Sequence, residues 1–504
     1  MKKHQKARFS ALFLALALAV TSMSGCQQGG TDDNSSASQD DGKKTFDATI
    51  NILFPGDAPA GLDEVNQAVS EKMKEDGLGN FTFNYTFVPW DQYRNKRSMV
   101  RASEEDYDLM WHHSGEIPAA FPSHMLAPLD DALEKYGQHL LEYIPDYAFK
   151  QSTYEGKIYA IPRVVPSAQY DSVLSIRGDL RKKYNIPELK TLDDVETYFQ
   201  TIKDNEPDMV PTVTVPFGEV FYRAYTPSWY ISRDYGIAID LEDPEYKVMS
   251  FYGTDEFAQM AEKSEEFRQK GFYYPDYDPK RVPENEFMAG KAAAAFGNVM
   301  WPTERIDTLT ANIPGAEIET VFINPDVPKY MYSASDNLLA VFEHSQEVDA
   351  CVAFIDWIHT SQENYDLYTY GIEGTNYNLE GESVSLKDIP QEKLYQPISW
   401  AWTDLRYNRY SAALDPDYVD VINHWDDDAV VTDLVGFAID TDPIKTELTN
   451  YKTVYETYIK PVTEAGTATF DREKTISELK AAGMDKIVEE VQKQVDQYIA
   501  ENAK

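Results

Sequence analysis

The chain has 504 residues, with 85 Asp and Glu against 46 Lys and Arg, for a formal net charge of −39. So acidic a chain repels nucleic acid and anionic lipid at long range and is a poor match for a polyanionic ligand. Aromatic residues make up 13% of it, with 34 Tyr and 8 Trp, which serves core packing but also surfaces on which sugar rings stack.

The N-terminus speaks to compartment. Lys2, Lys3, Lys6 and Arg8 precede an apolar run over residues 9–20, broken only by Ser10. That run is too short for a stable membrane span and suits the apolar core of a secretion signal. Met23-Ser24-Gly25-Cys26 follows and resembles the bacterial lipobox, in which the Cys is acylated and becomes the first mature residue. Residues 1–25 are thus expected to be a lipoprotein signal peptide and Cys26 the lipidation site. Residues 26–45 are nearly all small or polar and are expected to form a flexible tether. No later stretch is apolar enough to span a bilayer. The second Cys, Cys351, falls in an amphipathic helical pattern and reads as a core residue, not a nucleophile.

The segment after residue 45 is long enough for two or three domains. Residues 48–54 read as a strand ended by Pro55-Gly56, and Leu62, Val65, Val69 and Met73 recur at helical spacing up to Gly77. Phe81, Phe83, Tyr85 and Phe87 alternate with polar residues as a second strand. Residues 90–102 are helix-like, and residues 107–111 form a third strand. Strands alternating with helices imply a parallel sheet covered on both faces. In such sheets ligands bind beyond the carboxyl ends of the strands. Those ends carry Asp57, then Trp90, then Trp111, His112 and His113, so topology alone gathers them on one rim. Asp57 has two readings: acceptor for vicinal hydroxyls, or N-cap of the helix that follows.

A second α/β unit follows. Residues 157–162 and 173–176 read as strands, Thr191 as a helix N-cap, residues 286–296 as a turn leading into an apolar strand, and residues 337–342 as another strand. The tail from Arg472 is helical, broken at Gly483, with Ile487, Val488, Val491 and Val495 on one face. The acidic run Asp426-Asp427-Asp428 reads as a solvated turn. No hydrolase, metalloprotease or phosphate-loop motif is present, and His112, His113 and Glu116 lack zinc-site spacing, so no catalytic residue, metal or cofactor is expected.

Several segments together resemble the family 1 extracellular solute-binding proteins, the relatives of maltose-binding protein. They are Gly156-Lys157-Ile158-Tyr159-Ala160-Ile161-Pro162-Arg163, Ile176-Arg177-Gly178-Asp179-Leu180, Phe287-Met288-Ala289-Gly290-Lys291-Ala292, Tyr370-Gly371-Ile372-Glu373-Gly374-Thr375-Asn376-Tyr377 and Leu479-Lys480-Ala481-Ala482-Gly483-Met484-Asp485-Lys486. The likeness spans nearly all of the chain after residue 45 and points to a lipoprotein subfamily of Gram-positive bacteria.

That resemblance implies an α/β, two-lobed periplasmic-binding-protein-like fold with a hinge and an inter-lobe ligand cleft. Lobe one is expected to comprise residues 46–163 and 331–385, and lobe two residues 164–330 and 386–504. Chain crossings are expected near 163–166, 329–333 and 378–387. The implied function is a monomeric, non-enzymatic capture protein that closes on a carbohydrate, an oligosaccharide by family habit, and delivers it to an ABC permease from the outer face of the membrane. Alternatives are the same fold binding a peptide or other small polar solute, and an extracellular glycan hydrolase. Arg163, near the first crossing, is expected to donate to sugar oxygens or to serve as a hinge salt bridge. Trp301 is expected to stack on the ligand from the second lobe, with Glu304 beside it. Trp229, Tyr230 and the Trp400-Ala401-Trp402 segment, with Trp402 as its contact residue, are further platform candidates.

Overall fold

The computed structural model describes residues 45–502 apart from 122, 170, 275, 277, 279, 335 and 465. The signal-peptide reading, Cys26 and the tether up to residue 44 lie outside the described residues.

Phe46–Pro55 is an interior strand of a five-stranded sheet whose centre is Leu109–His113. It pairs in parallel with Gly79–Val88 along its length and with Leu109–His113 through Ile52 and Leu53. Its first half alternates, with Phe46, Ala48 and Ile50 buried and Asp47 and Thr49 exposed. Its second half, Ile52 to Pro55, is buried throughout, as a strand covered on both faces must be. Two strands from later in the chain complete the sheet. Asn337–Val341 runs antiparallel to Leu109–His113, and Ala160–Pro162 runs antiparallel to Asn337–Val341. The expected all-parallel sheet is therefore mixed. Helix Leu62–Glu75 buries Val65, Val69 and Met73, the stripe its spacing predicts. Helix Val348–Ile358 is buried from Ala350 to Ile358, and Cys351 lies fully inside it, its thiol pushed up by burial.

The second core surrounds a four-stranded sheet in the order Ile318–Val321, Val173–Arg177, Ala292–Gly297, Val210–Thr212. Only the last pair is parallel. Thr191 caps helix Leu192–Asn205 in a reciprocal box with Asp194. At the C-terminus, Gly483 takes φ 96° between helices Arg472–Ala482 and Met484–Asn502, and a Cβ there would stand 2.6 Å from the Glu447 side chain. Among the described residues no helix is long and apolar enough to cross a membrane.

The third crossing differs from expectation. The hairpin Asn378–Glu380 with Ser383–Ser385 stays on the first-sheet side, where Arg409 joins Glu382 to Asp366 of helix Gln362–Thr369. Tyr395, Ala401 and Trp402 pack into the first core. By Ile422 and Trp425 the chain packs on Val173, Val299 and Met300 of the second unit. The boundary expected at residue 386 therefore falls later, after Trp402 and before Ile422. The hairpin misled because a turn-rich polar segment looks the same whether it crosses between lobes or merely decorates one.

The acidic run is corrected at one residue. Asp427 and Asp428 are exposed, but Asp426 is half-buried: its Oδ1 accepts from the Ala168 N–H at 2.9 Å and its Oδ2 from the Ser167 N–H at 2.8 Å. Trp425 Nε1 donates to the Ala168 carbonyl at 2.7 Å, and Lys329 pairs with Asp428 at 2.8 Å. Tyr330–Met331 then pairs in parallel with Val430–Val431. The three connecting segments are thus laced to one another.

Candidate functional site

The carboxyl ends of the first three strands do meet at a rim. Gly56 follows the first strand at φ 95°, where a side chain is disfavoured, and Asp57 comes next, exposed. Gly61, not Asp57, holds the N-cap of the next helix. Trp90 opens helix Trp90–Ser103 and is 53% exposed, unusual for so large an apolar ring. It stacks on Trp400 at 5.7 Å and meets Trp111 edge-on at 5.2 Å, while Trp111 and Trp400 meet edge-on at 5.8 Å. Three indoles form one platform.

Strand alternation sorts Leu109–His113. Trp111 and His113 share one face, with His113 exposed and its Nδ1 accepting from the Gly115 N–H at 3.1 Å. His112 points the other way and is 1% exposed. Burial, then the neighbouring Arg97 guanidinium, push its imidazole down to about 3. The expectation that His112 contacts a ligand is corrected: period-two geometry turns it into the layer behind the rim.

Arg163 ties the platform to the crossings. Its Nη2 donates to Asp336 Oδ1 at 2.7 Å and its Nη1 to the Trp400 carbonyl at 2.8 Å. Asn337 Nδ2 donates to the same Asp336 oxygen at 2.7 Å, and Asn337 Oδ1 accepts from Trp111 Nε1 at 2.8 Å. Desolvation opposes the charge on Asp336, but Arg163 holds its carboxyl below the ordinary carboxylate range. The Asp336 side chain keeps 46% exposure, so the pair borders an open space.

Second-unit residues face this pair. Asp171 is exposed, yet desolvation and then the Asp336 charge push its carboxyl up to about 6 against Arg163 and Arg233. Glu219 is pushed up to about 7 by desolvation, with Arg233 opposing and Asp171 assisting. Tyr230 meets Tyr332 edge-on at 4.9 Å. Desolvation, then the Asp171 charge, raises the Tyr332 phenol. Glu304, on helix Trp301–Asn312, is raised by desolvation while Arg305 and Arg163 pull the other way. Arg305 also pairs with Glu284 at 2.6 Å. Beside them a pocket of about 520 Å³ is lined by Glu284, Met288, Glu304, Arg305 and Asn312, with Gln396 from the first-core side. Crowded side chains that still reach solvent are what a cleft between packed walls produces.

Two expected aromatic platforms are corrected. Trp402 is 2% exposed, 4.7 Å from the Tyr368 ring and 6.2 Å from Phe54, with Nε1 donating to Thr369 Oγ1 at 3.1 Å. Trp301 is 7% exposed and packs edge-on against Phe287 at 5.6 Å, over the close-lying Gly297. Both indoles complete cores and present no face to the cleft. Trp229 and Tyr230 are both half-buried and both pack on the second core. Sequence reasoning named the Trp400-Ala401-Trp402 segment but chose Trp402, where the half-buried Trp400 is the platform member, and it missed Asp171, Glu219, Arg233, Tyr332 and Asp336. Asp336, Tyr332 and Asp171 border the crossings, and that proximity was the one available signal. Among the described residues no group of three His, Cys, Asp or Glu is arranged to hold a metal ion.

The model for "Bacterial extracellular solute-binding protein" matches residues 68–385, and a domain of unknown function matches residues 433–500. A protein of Streptococcus pneumoniae named "Carbohydrate ABC transporter substrate-binding protein" is 24% identical, over 99% of this chain and 98% of that one. The polygalacturonan/rhamnogalacturonan-binding protein YtcQ of Bacillus subtilis is 23% identical over 77% of this chain and 78% of its own. The crystal structure of the N-glycan transport solute binding protein NgtS of Streptococcus pneumoniae superposes with a TM-score of 0.73 at 19% identity, covering 90% of this chain and 99% of that one. The chain shares the two-lobed α/β fold of that solved structure. With its family model matched across well over half of its length, the chain belongs to the bacterial extracellular solute-binding proteins.

Proposed function

We propose that this protein is the capture component of an ABC importer, holding a carbohydrate, an oligosaccharide, between its lobes and handing it to a partner permease. The observation that carries this reading is the Trp90–Trp400–Trp111 platform standing beside the Arg163–Asp336 pair. Indole faces accept the C–H side of a sugar ring. Guanidinium and carboxylate groups satisfy hydroxyls in fixed directions. The carbohydrate-transporter name of the 24% identical relative, and the N-glycan ligands in the titles of NgtS complexes, support the same class.

Binding draws the lobes together about the laced crossings and shifts the population toward a closed form. The permease reads that form, and no turnover of the ligand is involved. The protein works as a monomer on the outer face of the membrane. Cys26 anchors it there, since two or more acyl chains give stable attachment.

Calorimetry of the Cys26→Ser chain against a panel of oligosaccharides tests the capture role. Saturable binding without release of new reducing ends is expected, with a fall in radius of gyration by small-angle scattering. If no glycan binds while a peptide does, the reading fails; if reducing ends accumulate, the protein is a hydrolase. In cells, Cys26→Ser is expected to move the protein into the medium, and retention on washed membranes would refute the anchor.

A further inference from the structure

Asn337 stands between two groups that make opposite demands on it. Its Oδ1 accepts from Trp111 Nε1 at 2.8 Å, and its Nδ2 donates to Asp336 Oδ1 at 2.7 Å. An indole nitrogen only donates and a carboxylate only accepts, so the side chain between them must accept on one arm and donate on the other. A primary amide does this, and its neighbours fix which way it points. Asn337 is buried, so an unmet arm costs the full desolvation of that group.

Trp111 depends on that amide. Its backbone is held by the ladder with Leu339 and by the Tyr93 hydroxyl, 2.9 Å from its carbonyl. Its ring meets Trp90, Trp400, Tyr93 and His113 tilted or edge-on, at 5.2 to 6.4 Å. Ring contacts of that kind tolerate a range of angles, whereas a hydrogen bond is directional. The Nε1 bond therefore sets the rotation of the indole. The other arm of the amide ends on the Asp336 oxygen that also accepts from Arg163, whose Nη1 donates to the Trp400 carbonyl. A circuit from Trp111 through Asn337, Asp336 and Arg163 to Trp400 closes where the two indoles meet.

We propose that Asn337 is a positioning residue for sugar binding: it fixes the Trp111 indole against the Arg163–Asp336 pair, so that the stacking platform and the hydrogen-bonding pair meet the ligand as one unit. This rests on the carbohydrate reading above. Asn337 acts through Trp111 and needs no contact with the sugar.

The test is calorimetry of the Cys26→Ser chain with manno-, malto- and fructo-oligosaccharides, the tightest binder serving as the probe. All titrations are run below the melting onset of every variant, so a loss of stability does not pass for a loss of affinity. Asn337→Leu nearly keeps the volume and removes both bonds. It is expected to weaken probe binding roughly tenfold or more in the parent chain, and less than about threefold where Trp111→Phe has already removed the indole N–H. Asn337→Asp keeps the shape. Ionised, the new carboxyl accepts from Trp111 but repels Asp336; protonated, it donates to Asp336 and accepts from Trp111 as the amide does. Burial and the Asp336 charge favour its protonated form. Its affinity deficit against the parent is therefore expected to be roughly tenfold at pH 8 and to shrink below about threefold at pH 5. Arg163 holds the Asp336 carboxyl below the ordinary range, so that partner stays ionised throughout. His113, opposite Asn337 in the ladder, and Asp171, in the field of Asp336 and Arg163, are common to both proteins, so the comparison at each pH cancels them.

An equal cost of Asn337→Leu in the two backgrounds overturns the action through Trp111. A deficit of Asn337→Asp that is flat with pH overturns the donor arm to Asp336, and this profile decides alone if Asn337→Leu does not fold. Parent affinity in a folded Asn337→Leu variant overturns the proposal outright and leaves the carbohydrate reading standing. If none of the oligosaccharides binds the parent chain, that reading falls and the proposal falls with it.

Discussion

Arg163 donates to Asp336 at 2.7 Å while its other terminal nitrogen donates to the carbonyl of Trp400 at 2.8 Å, so one guanidinium joins the first crossing, the second crossing and the indole platform. Arg163→Ala removes both bonds and leaves Asp336 beside the cleft without its counter-ion. Ligand affinity is expected to fall at least tenfold, with a stability loss of about 1–3 kcal/mol. Arg163→Lys keeps the charge but cannot make both bonds at once, and is expected to recover stability more than affinity. Calorimetry and melts on the two variants check this; an alanine variant with wild-type affinity would make Arg163 a purely structural hinge residue.

Four tryptophans are expected to divide into two pairs. Trp90→Ala and Trp400→Ala remove exposed or half-exposed rings and should weaken ligand binding about five- to a hundred-fold, as loss of a stacking contact of about 1–3 kcal/mol implies. Their melting temperatures should change little. Trp301→Ala and Trp402→Ala open holes in packed cores and should cost about 3–5 kcal/mol of stability. Urea unfolding beside binding titrations separates the pairs, and a stable Trp402→Ala variant with lost binding would reverse the assignment.

Asp426 receives the Ser167 and Ala168 N–H groups, so the third crossing grips the first. Asp426→Ala strands two backbone donors and is expected to cost about 1–3 kcal/mol. Because these donors lie at the hinge, the variant should also alter the ligand-free radius of gyration without touching the ligand. Scattering curves identical to wild type would mean the lacing does not restrain opening.

His112 sets a pH dependence of known sign. Its imidazole sits at about 3 in the fold against 6.5 when unperturbed, so the folded state binds fewer protons than the unfolded one. The stability this represents is complete above pH 6.5 and is lost as pH falls toward 3, at about 1.4 kcal/mol per pH unit. Between pH 6.5 and 5 that is about 2 kcal/mol. His112→Gln does not titrate, so its stability relative to wild type should improve by that amount over the same interval. A difference that does not vary with pH would mean the wild-type ring takes up its proton in the folded state.

Much of this protein was legible along the chain because the signals are local. Period-two alternation in residues 46–50 and 79–88, the 3.6-residue stripe of Val65, Val69 and Met73, the Thr191 cap and the αL break at Gly483 each depend on near neighbours, and the fold keeps them. The rim at the strands' carboxyl ends followed from the order of elements alone. What only the tertiary structure decided was side-chain facing and long-range partnership. His112 and His113 differ by one residue and point to opposite faces. Trp400 and Trp402 share a tripeptide, yet one completes a platform and the other a core, because a short 3₁₀ turn sets their directions. Asp336 meets Arg163 across 173 residues of sequence, and Asp426 finds its partners 258 and 259 residues away. No propensity encodes such meetings. They arise when two cores, each collapsing on its own apolar residues, leave their polar connecting segments to satisfy one another at the hinge.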